Sequence, residues 1–233
     1  DDWQTYARII EGIRAASDAL VYPTIPLAGG PDAAAGGDAG ARFAAVAELA
    51  ARGLIEWTVV DPGSAQLSPL DALGRGEAAG FLYQNPVEHV AHGLSLCAAH
   101  GLRPGYAIYE PGFTRLGAPL AAALGAPQPL YRFMFSDGLS FGFPPEPAFL
   151  DAHLALLDRE APGAPWMIAG LDVDVTPLIP HAVARGGHVR AGLEDARFGE
   201  TRTNAQLTAA ARSAIEAAGG TVATPSDIRN PAL

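Results

Sequence analysis

Short runs of apolar and β-branched residues alternate along the chain with longer, alanine-rich amphipathic stretches, a pattern that predicts βα units and a parallel sheet. The runs are Ala19–Thr24, Ile55–Asp61, Tyr106–Glu110, Leu130–Ser136, Trp166–Leu171 and Gly187–Leu193. Helical patterns lie between and after them at Arg42–Arg52, Pro86–His100, Leu116–Ala123, Pro147–Arg159, Pro177–Ala184 and Asn204–Ala218. Asn85-Pro86 reads as a helix start, a capping Asn followed by Pro at the first helical position. The stretches Leu27–Gly40 and Gly138–Pro147, rich in Gly and Pro, follow strand ends. In a (β/α) barrel such loops lie on the catalytic face, and they are equally readable as tolerated insertions. No second boundary interrupts the pattern, so residues 1–233 read as a single α/β domain.

The segment Gly187-His188-Val189-Arg190-Ala191-Gly192-Leu193-Glu194-Asp195 departs from that background. Read with the two-residue period of a strand, Val189, Ala191 and Leu193 point one way and His188, Arg190, Gly192 and Glu194 the other. A strand covered on both faces by helices is normally apolar on both, so a charged row faces either a site or an ion-pair network. Asp195 follows at the carboxyl end of the strand, where barrel enzymes place catalytic groups. Two adjacent carboxylates beside an Arg suit one metal ligand and one general base.

Composition narrows the chemistry. The 233 residues carry a formal charge of −10, with a pI near 4.9, and no basic patch can be read along them. Binding to a phosphate backbone releases counterions only where Lys and Arg cluster, so nucleic acid is not an expected partner. All 15 basic residues are Arg, and Lys is absent. Schiff-base aldolases, PLP enzymes and P-loop NTPases each need a lysine amine, so those mechanisms are excluded. Charge in a reaction is left to Arg, a metal or backbone dipoles. No apolar run approaches the roughly 18 residues of a membrane span. A single cysteine, Cys97, forms no internal disulfide, and the cytoplasm is the expected compartment.

The remaining polar candidates have plainer readings. Glu88-His89-Val90-Ala91-His92 resembles a metal motif at first sight but matches neither His-Glu-x-x-His nor its inverse, and reads as a helix surface. His188 shares a face with Arg190 and is a candidate contact to the substrate or to a group that touches it. His100, His153 and His181 read as ordinary helix residues. Arg132, inside the run Leu130–Ser136, either binds a carboxylate or phosphate bidentately or pairs with a neighbouring acid. Cys97 reads as a small hydrophobe on a helix face.

Three blocks near the end of the chain resemble the β-keto acid cleavage enzyme family, also called the 3-keto-5-aminohexanoate cleavage enzyme family. They are Gly186-Gly187-His188-Val189-Arg190-Ala191-Gly192-Leu193-Glu194-Asp195, Thr203-Asn204-Ala205-Gln206-Leu207, and Val222-Ala223-Thr224-Pro225 with Arg229 beyond. Supporting agreement runs back through Trp166-Met167-Ile168-Ala169-Gly170, Tyr109-Glu110-Pro111-Gly112, Gly63-Ser64 and Tyr22-Pro23-Thr24. The resemblance implies a zinc-dependent (β/α)8 TIM barrel that converts a β-keto acid and acetyl-CoA, or a related CoA thioester, into acetoacetate and a new CoA ester. It implies Glu194 as zinc ligand, Asp195 as general base and Arg190 as the group that orients the base and binds substrate. It places Thr24, and Thr58 with a one-residue ambiguity, as substrate-binding hydroxyls, with Ser64 and Glu110 as further substrate contacts. A homotetramer is implied as well. A non-catalytic ligand-binding or scaffolding barrel is the alternative.

Three departures from the family pattern qualify those expectations. Family members carry two further amino-terminal strands, which supply a catalytic Glu and a His-x-His pair of zinc ligands. The chain begins just beyond them, so a preceding segment on the order of 50 residues is expected, from roughly 25 to 30 residues per βα unit. Ala107 stands where the family has a glutamate, and Glu110, an odd offset away, lies on the other face of a regular strand. Asp172 and Asp174 stand where relatives place Gly and a basic residue, which points to a neutral-tailed or cationic keto acid.

Overall fold

A computed structural model describes residues 3–27 and 37–230 of the chain. Five parallel strands form one sheet in the order β1 (Trp57–Val59), β4 (Arg103–Ile108), β5 (Leu130–Phe135), β6 (Trp166–Gly170) and β7 (His188–Val189). Each strand pairs with the next sheet strand along the chain, and none crosses over. The helices between them are α4 (Val87–His100), α5 (Pro111–Leu124), α6 (Pro147–Glu160) and α7 (Ile179–Ala184), the last preceded by a 3₁₀ turn at Thr176–Leu178. Sequential order with packed neighbouring helices is the winding of a barrel wall, whereas an open doubly wound sheet reverses its order at a switch point.

The wall is open among the described residues, because β1 and β7 pair with no further strand. The described residues thus form a five-stranded parallel sheet with barrel-like order, one strand short of the six that the sequence pattern predicts for this chain out of the eight of a closed barrel. One predicted strand is lost outright: Ala19–Thr24 is irregular. Pro23 has no N–H to give to a ladder, and Pro26 follows three residues later, so the run lies along β1 with Tyr22 stacked on Trp57 but makes no strand. The Gly- and Pro-rich stretch Leu27–Gly40 lies largely outside the described residues.

Strand parity sorts the wall into two faces. Tyr106 donates its hydroxyl to the Gly117 carbonyl of α5, and Phe133 stacks on His153 of α6, so Tyr106, Ile108, Tyr131, Phe133 and Ile168 face the helices. All five are essentially inaccessible to solvent and form the centre of the core. The alternate residues Ala107, Arg132, Met134 and Ala169 face inward. Around the sheet lie α2 (Ala39–Ala51), α8 (Asn204–Ala217) and α9 (Pro225–Arg229), with α1 (Trp3–Ala16) against α2. The period of α1 was present in the sequence, since Trp3, Tyr6, Ala7 and Ile10 recur on one face and Ala7 and Ile10 are buried. A hairpin of β2 (Ala65–Leu67) and β3 (Phe81–Tyr83), with the short helix α3 (Leu70–Gly74) between its strands, rises above the carboxyl end of the sheet.

The glycine pair before β7 has a packing cause. Gly186 adopts a left-handed conformation, with φ of 74°. A Cβ on Gly187 would lie 2.1 Å from the Trp166 ring, so only glycine lets β7 approach β6 there. Beyond Val189 the strand goes one ladder bond further, from the Arg190 amide to the Ile168 carbonyl. It then turns, with the Asp195 amide bonded back to the Gly192 carbonyl and the Leu193 amide donating to the Asn204 side chain. The predicted strand Gly187–Leu193 is thus cut to two residues by a turn that the Asn204 amide group anchors.

Candidate functional site

The inward residues and the loops at the carboxyl ends of the strands enclose a cavity of about 440 Å³. Its charged and polar walls come from Asp61, just beyond β1, Arg132 in β5, Arg190 beyond β7, Glu194 in the following turn, and the phenols of Tyr83 and Tyr109. Ala107, Leu171 and Thr24 line it as well. A second cavity of about 190 Å³ lies between the turn after β7, the loop after β6 and α8, and Asp174, Thr176, Asp195, Arg197, Glu200 and Arg202 are its polar lining.

Arg190 and Asp195 join the two spaces. The Arg190 Nε donates to Asp195 Oδ1 at 2.9 Å, and the Gly170 amide donates to the same oxygen at 2.8 Å. Asp195 is 5% exposed, and its Oδ2 takes no hydrogen bond among the described residues. Arg190 lines the larger cavity and Asp195 the smaller, so the pair stands between them. Arg190 also lies 3.5 Å from Glu194 and donates to the Gly170 carbonyl at 3.3 Å. Burial works against its charge, but Asp195 and Glu194 together hold its pKa above the ordinary guanidinium value. The parity of the strand therefore brings Arg190 inward as expected, while Asp195 reaches it through the turn.

The opposite wall holds a second guanidinium and carboxylate. Asp61 Oδ1 accepts the Ala107 amide at 2.7 Å and Oδ2 accepts the Tyr83 hydroxyl at 2.6 Å. Arg132 Nη2 comes only to 3.6 Å from Asp61 Oδ1, while its Nε donates to the Tyr106 carbonyl at 3.3 Å. Burial, reinforced by the Asp61 charge, raises the Tyr83 hydroxyl far above its ordinary range, and burial with the same neighbour does so for Tyr109, so both phenols stay protonated. Tyr109 packs edge-on against Tyr83 and Phe141 and takes part in no hydrogen bond among the described residues.

The predicted site residues divide on this geometry. Arg190, Glu194 and Thr24 line the larger cavity, and Asp195 is bonded to Arg190. Thr58 lies on the outer face of β1, because it shares parity with Val60, which faces α4; it is fully buried, and its hydroxyl has no partner among the described residues. Ser64 accepts the Asn85 amide and lines neither cavity. Glu110 accepts the Gly142 amide at 3.0 Å, tying down the loop after β5 rather than facing the cavity. His188 is exposed and lines neither cavity.

Two local readings are corrected. Asn85 does not cap α4: its side chain is buried, donating to the Gly63 carbonyl and accepting from Arg42 at 2.7 Å. His89 is not on a helix surface but 2% exposed, with Nε2 3.1 Å from the Gly37 carbonyl. Cys97 is wholly buried, and burial pushes its thiol up to about 12. Asp61, Tyr83 and Tyr109 were missed as site residues. Asp61 stands two residues past a strand end, which is the signal that could have marked it, whereas Tyr83 reaches the site from a hairpin the periodicity does not show.

Zinc in proteins takes three or four nitrogen, sulfur or oxygen ligands. Glu194 supplies one exposed carboxylate, and no group of three or more His, Cys, Asp or Glu among the described residues could hold a metal ion. The described residues by themselves do not fit a zinc ion.

A model of the β-keto acid cleavage enzymes, BKACE, matches residues 1–231. The chain belongs to the β-keto acid cleavage enzyme family. The family likeness carried by the Gly186–Asp195 block thus extends over almost the whole chain. Among solved structures the chain is similar to ObcA in its apo form and in a binary complex with oxaloacetate, each at a TM-score of 0.55 and 13% identity. The match covers 76% of this chain but 43% and 45% of those chains, so the chain spans less than half of the length of the structures it matches. At that identity the likeness speaks for the α/β fold alone. No helix among the described residues is long and apolar enough to cross a membrane.

Proposed function

We propose that the protein exchanges acyl groups between a β-keto acid and acetyl-CoA, giving acetoacetate and a new CoA ester. The exchange balances: R–CO–CH₂–COO⁻ and CH₃–CO–SCoA give R–CO–SCoA and CH₃–CO–CH₂–COO⁻. The observation that carries this reading is the Arg190–Asp195 pair at the carboxyl end of the sheet, in a chain of this family. Asp195 acts as the base that removes a proton from the carbon between keto group and carboxylate. Its Oδ1 is held by Arg190 and the Gly170 amide, and its Oδ2 is left for the proton. Asp61 is the less suitable base, since both of its oxygens already accept hydrogen bonds. Arg190, lining the larger cavity, orients the base and meets the substrate carboxylate.

Zinc is part of the proposal on the family resemblance only. It would supply positive charge to the enolate oxygen. Glu194 offers one donor, so a zinc ion here draws its remaining ligands from outside the described residues, and no step above runs through it. Thr24, at the cavity wall, is the proposed hydroxyl contact to substrate. A cytoplasmic homotetramer completes the proposal. Ala107, which leaves the inner wall without a third carboxylate beside Arg132, favours a second reading as a ligand-binding barrel that does not turn over.

The test is incubation of the full protein with β-keto acids and acetyl-CoA, following acetoacetate and the new thioester together, with zinc content measured by elemental analysis. Stoichiometric formation of both products and about one zinc per chain are expected. Keto acid binding without any product would move the assignment to the second reading.

A further inference from the structure

The wall around Asp61 carries more positive charge than it uses. Arg132 is 8% exposed, inward-facing and part of the larger cavity's lining, yet its one carboxylate neighbour stands at 3.6 Å in a single contact. The short bonds to Asp61 come from neutral donors instead, the Ala107 amide at 2.7 Å and the Tyr83 hydroxyl at 2.6 Å. A guanidinium has five N–H donors in a planar fork. Nε is occupied by the Tyr106 carbonyl and Nη2 leans on Asp61, while Nη1 has no partner among the described residues. A buried cation with unmet donors is costly unless a ligand completes it.

A second guanidinium adds to the imbalance. Arg42, also buried, lies beside Tyr83 and within reach of the Asp61 charge, and bonds to Asn85, the Pro26 carbonyl and, more distantly, His89. None of these is a carboxylate, and Arg42 makes no ion pair among the described residues. Two buried cations thus share the single anion Asp61. Steric access is provided by the neighbour of Arg132 in the sheet, Ala107, whose methyl group leaves the guanidinium open to the cavity. Tyr109, a protonated phenol on the same wall with no acceptor among the described residues, is a further donor.

The acids that pointed to a cationic substrate are turned away. Asp172 accepts the Phe198 amide at 2.7 Å, Asp174 accepts the Thr176 amide at 2.9 Å, and neither lines the larger cavity. Both acids organise loops, and Asp174 lines only the smaller cavity.

We propose that Arg132, with the Tyr109 hydroxyl, is a subsite for a second carboxylate, so that the preferred substrate is a β-keto dicarboxylic acid. This rests on the reading of the cavity as the β-keto acid site. One carboxylate meets Arg190, and the distal one meets the fork of Arg132 across Ala107.

The experiment is calorimetric titration of the full protein, without acetyl-CoA, with freshly prepared 3-oxohexanedioate and with 3-oxohexanoate, which has the same length and an uncharged tail. The dicarboxylate is expected to bind at least about tenfold more tightly, since a charge-assisted contact is worth roughly 1.5 to 3 kcal/mol and 1.4 kcal/mol is tenfold. Arg132→Gln should lose most of that preference, the dicarboxylate suffering far more than the monoacid. Should that variant fail to fold with Asp61 unbalanced, Ala107→Glu provides the second arm: its carboxylate fills the subsite, keeps Arg132 paired and removes the preference. Equal binding of the two acids by the wild type, or a preference that survives Ala107→Glu, overturns the proposal. Adding acetyl-CoA afterwards separates the two readings. Preferential binding without turnover upholds the subsite and removes the proposed reaction, whereas turnover without preference does the reverse.

Discussion

The two guanidinium–carboxylate pairs of the site are built from the same chemical groups and do opposite things with them. In Arg190–Asp195 the contact is direct, at 2.9 Å, and the Gly170 amide completes the same oxygen. In Arg132–Asp61 the contact is 3.6 Å, and neutral donors occupy the carboxylate. The first pair therefore spends its cation on positioning an acid whose other oxygen is open to a proton. The second spends its acid on backbone and phenol donors and leaves its cation open to the cavity. An ion pair in a site is thus read by which partner retains unused valence, not by its presence.

The strongest way to break the comparison is to remove the charge of the acid held by Arg190. Asp195→Asn keeps shape and should lower acetyl-CoA-dependent turnover by roughly 10³-fold, within the range of a lost general base, with an unchanged circular dichroism spectrum. Turnover within tenfold of wild type would assign the base elsewhere.

Acid sensitivity of the fold is expected from the outer face of the same wall. His153 is buried against Phe133, Phe135 and Phe143, neither ring nitrogen has a partner among the described residues, and burial lowers its pKa to about 4. The unfolded chain takes up this proton near pH 6.5 and the folded one near 4. The stabilisation is thus complete above about pH 6.5 and lost progressively as pH falls toward 4, by roughly 3 kcal/mol in total. Urea titrations at pH 7 and pH 4.5 should show the loss in the wild type and a flatter response in His153→Leu. Equal pH dependence in the two proteins would place the sensitivity away from His153.

Arg190→Lys sharpens the distinction between positioning and charge. The ammonium keeps the charge but not the fork that reaches Asp195 and the Gly170 carbonyl together, so kcat should fall about 10- to 100-fold with a smaller change in KM. A rise in KM alone would make Arg190 a substrate contact only. The smallest effect is expected at the second pair. Tyr83→Phe leaves Asp61 Oδ2 without its 2.6 Å donor and should cost about 1 to 2 kcal/mol of unfolding free energy, a fall in Tm of a few degrees. No measurable change would show that water replaces the phenol.

The legible parts of this molecule are those whose cause is local. Strand and helix periods identified the parallel sheet from Ile55 onward and the helices packed on it, since alternation and the 3.6-residue repeat are properties of neighbouring residues. The same reasoning placed Arg190 on the inner face. It failed at Ala19–Thr24, where β-branched composition is overridden by prolines that cannot join a ladder, and at Asn85, whose capping role gives way to Arg42, 43 residues away in the chain. Thr58 was misplaced by one residue of register, which turns a hydroxyl from the cavity to the helices.

By itself the sequence determined the class of fold and the family, and it marked Arg190, Glu194 and Asp195 as site candidates that share one motif. Those follow from period, residue type and contiguous motif. Only the tertiary structure decided that the sheet is open among the described residues, that Asp61 is held by Ala107 and Tyr83, and that Arg132 faces the cavity with donors to spare. Those facts depend on which side chains from distant strands share a desolvated space, where a difference between 2.9 and 3.6 Å decides which charge is used and which is available.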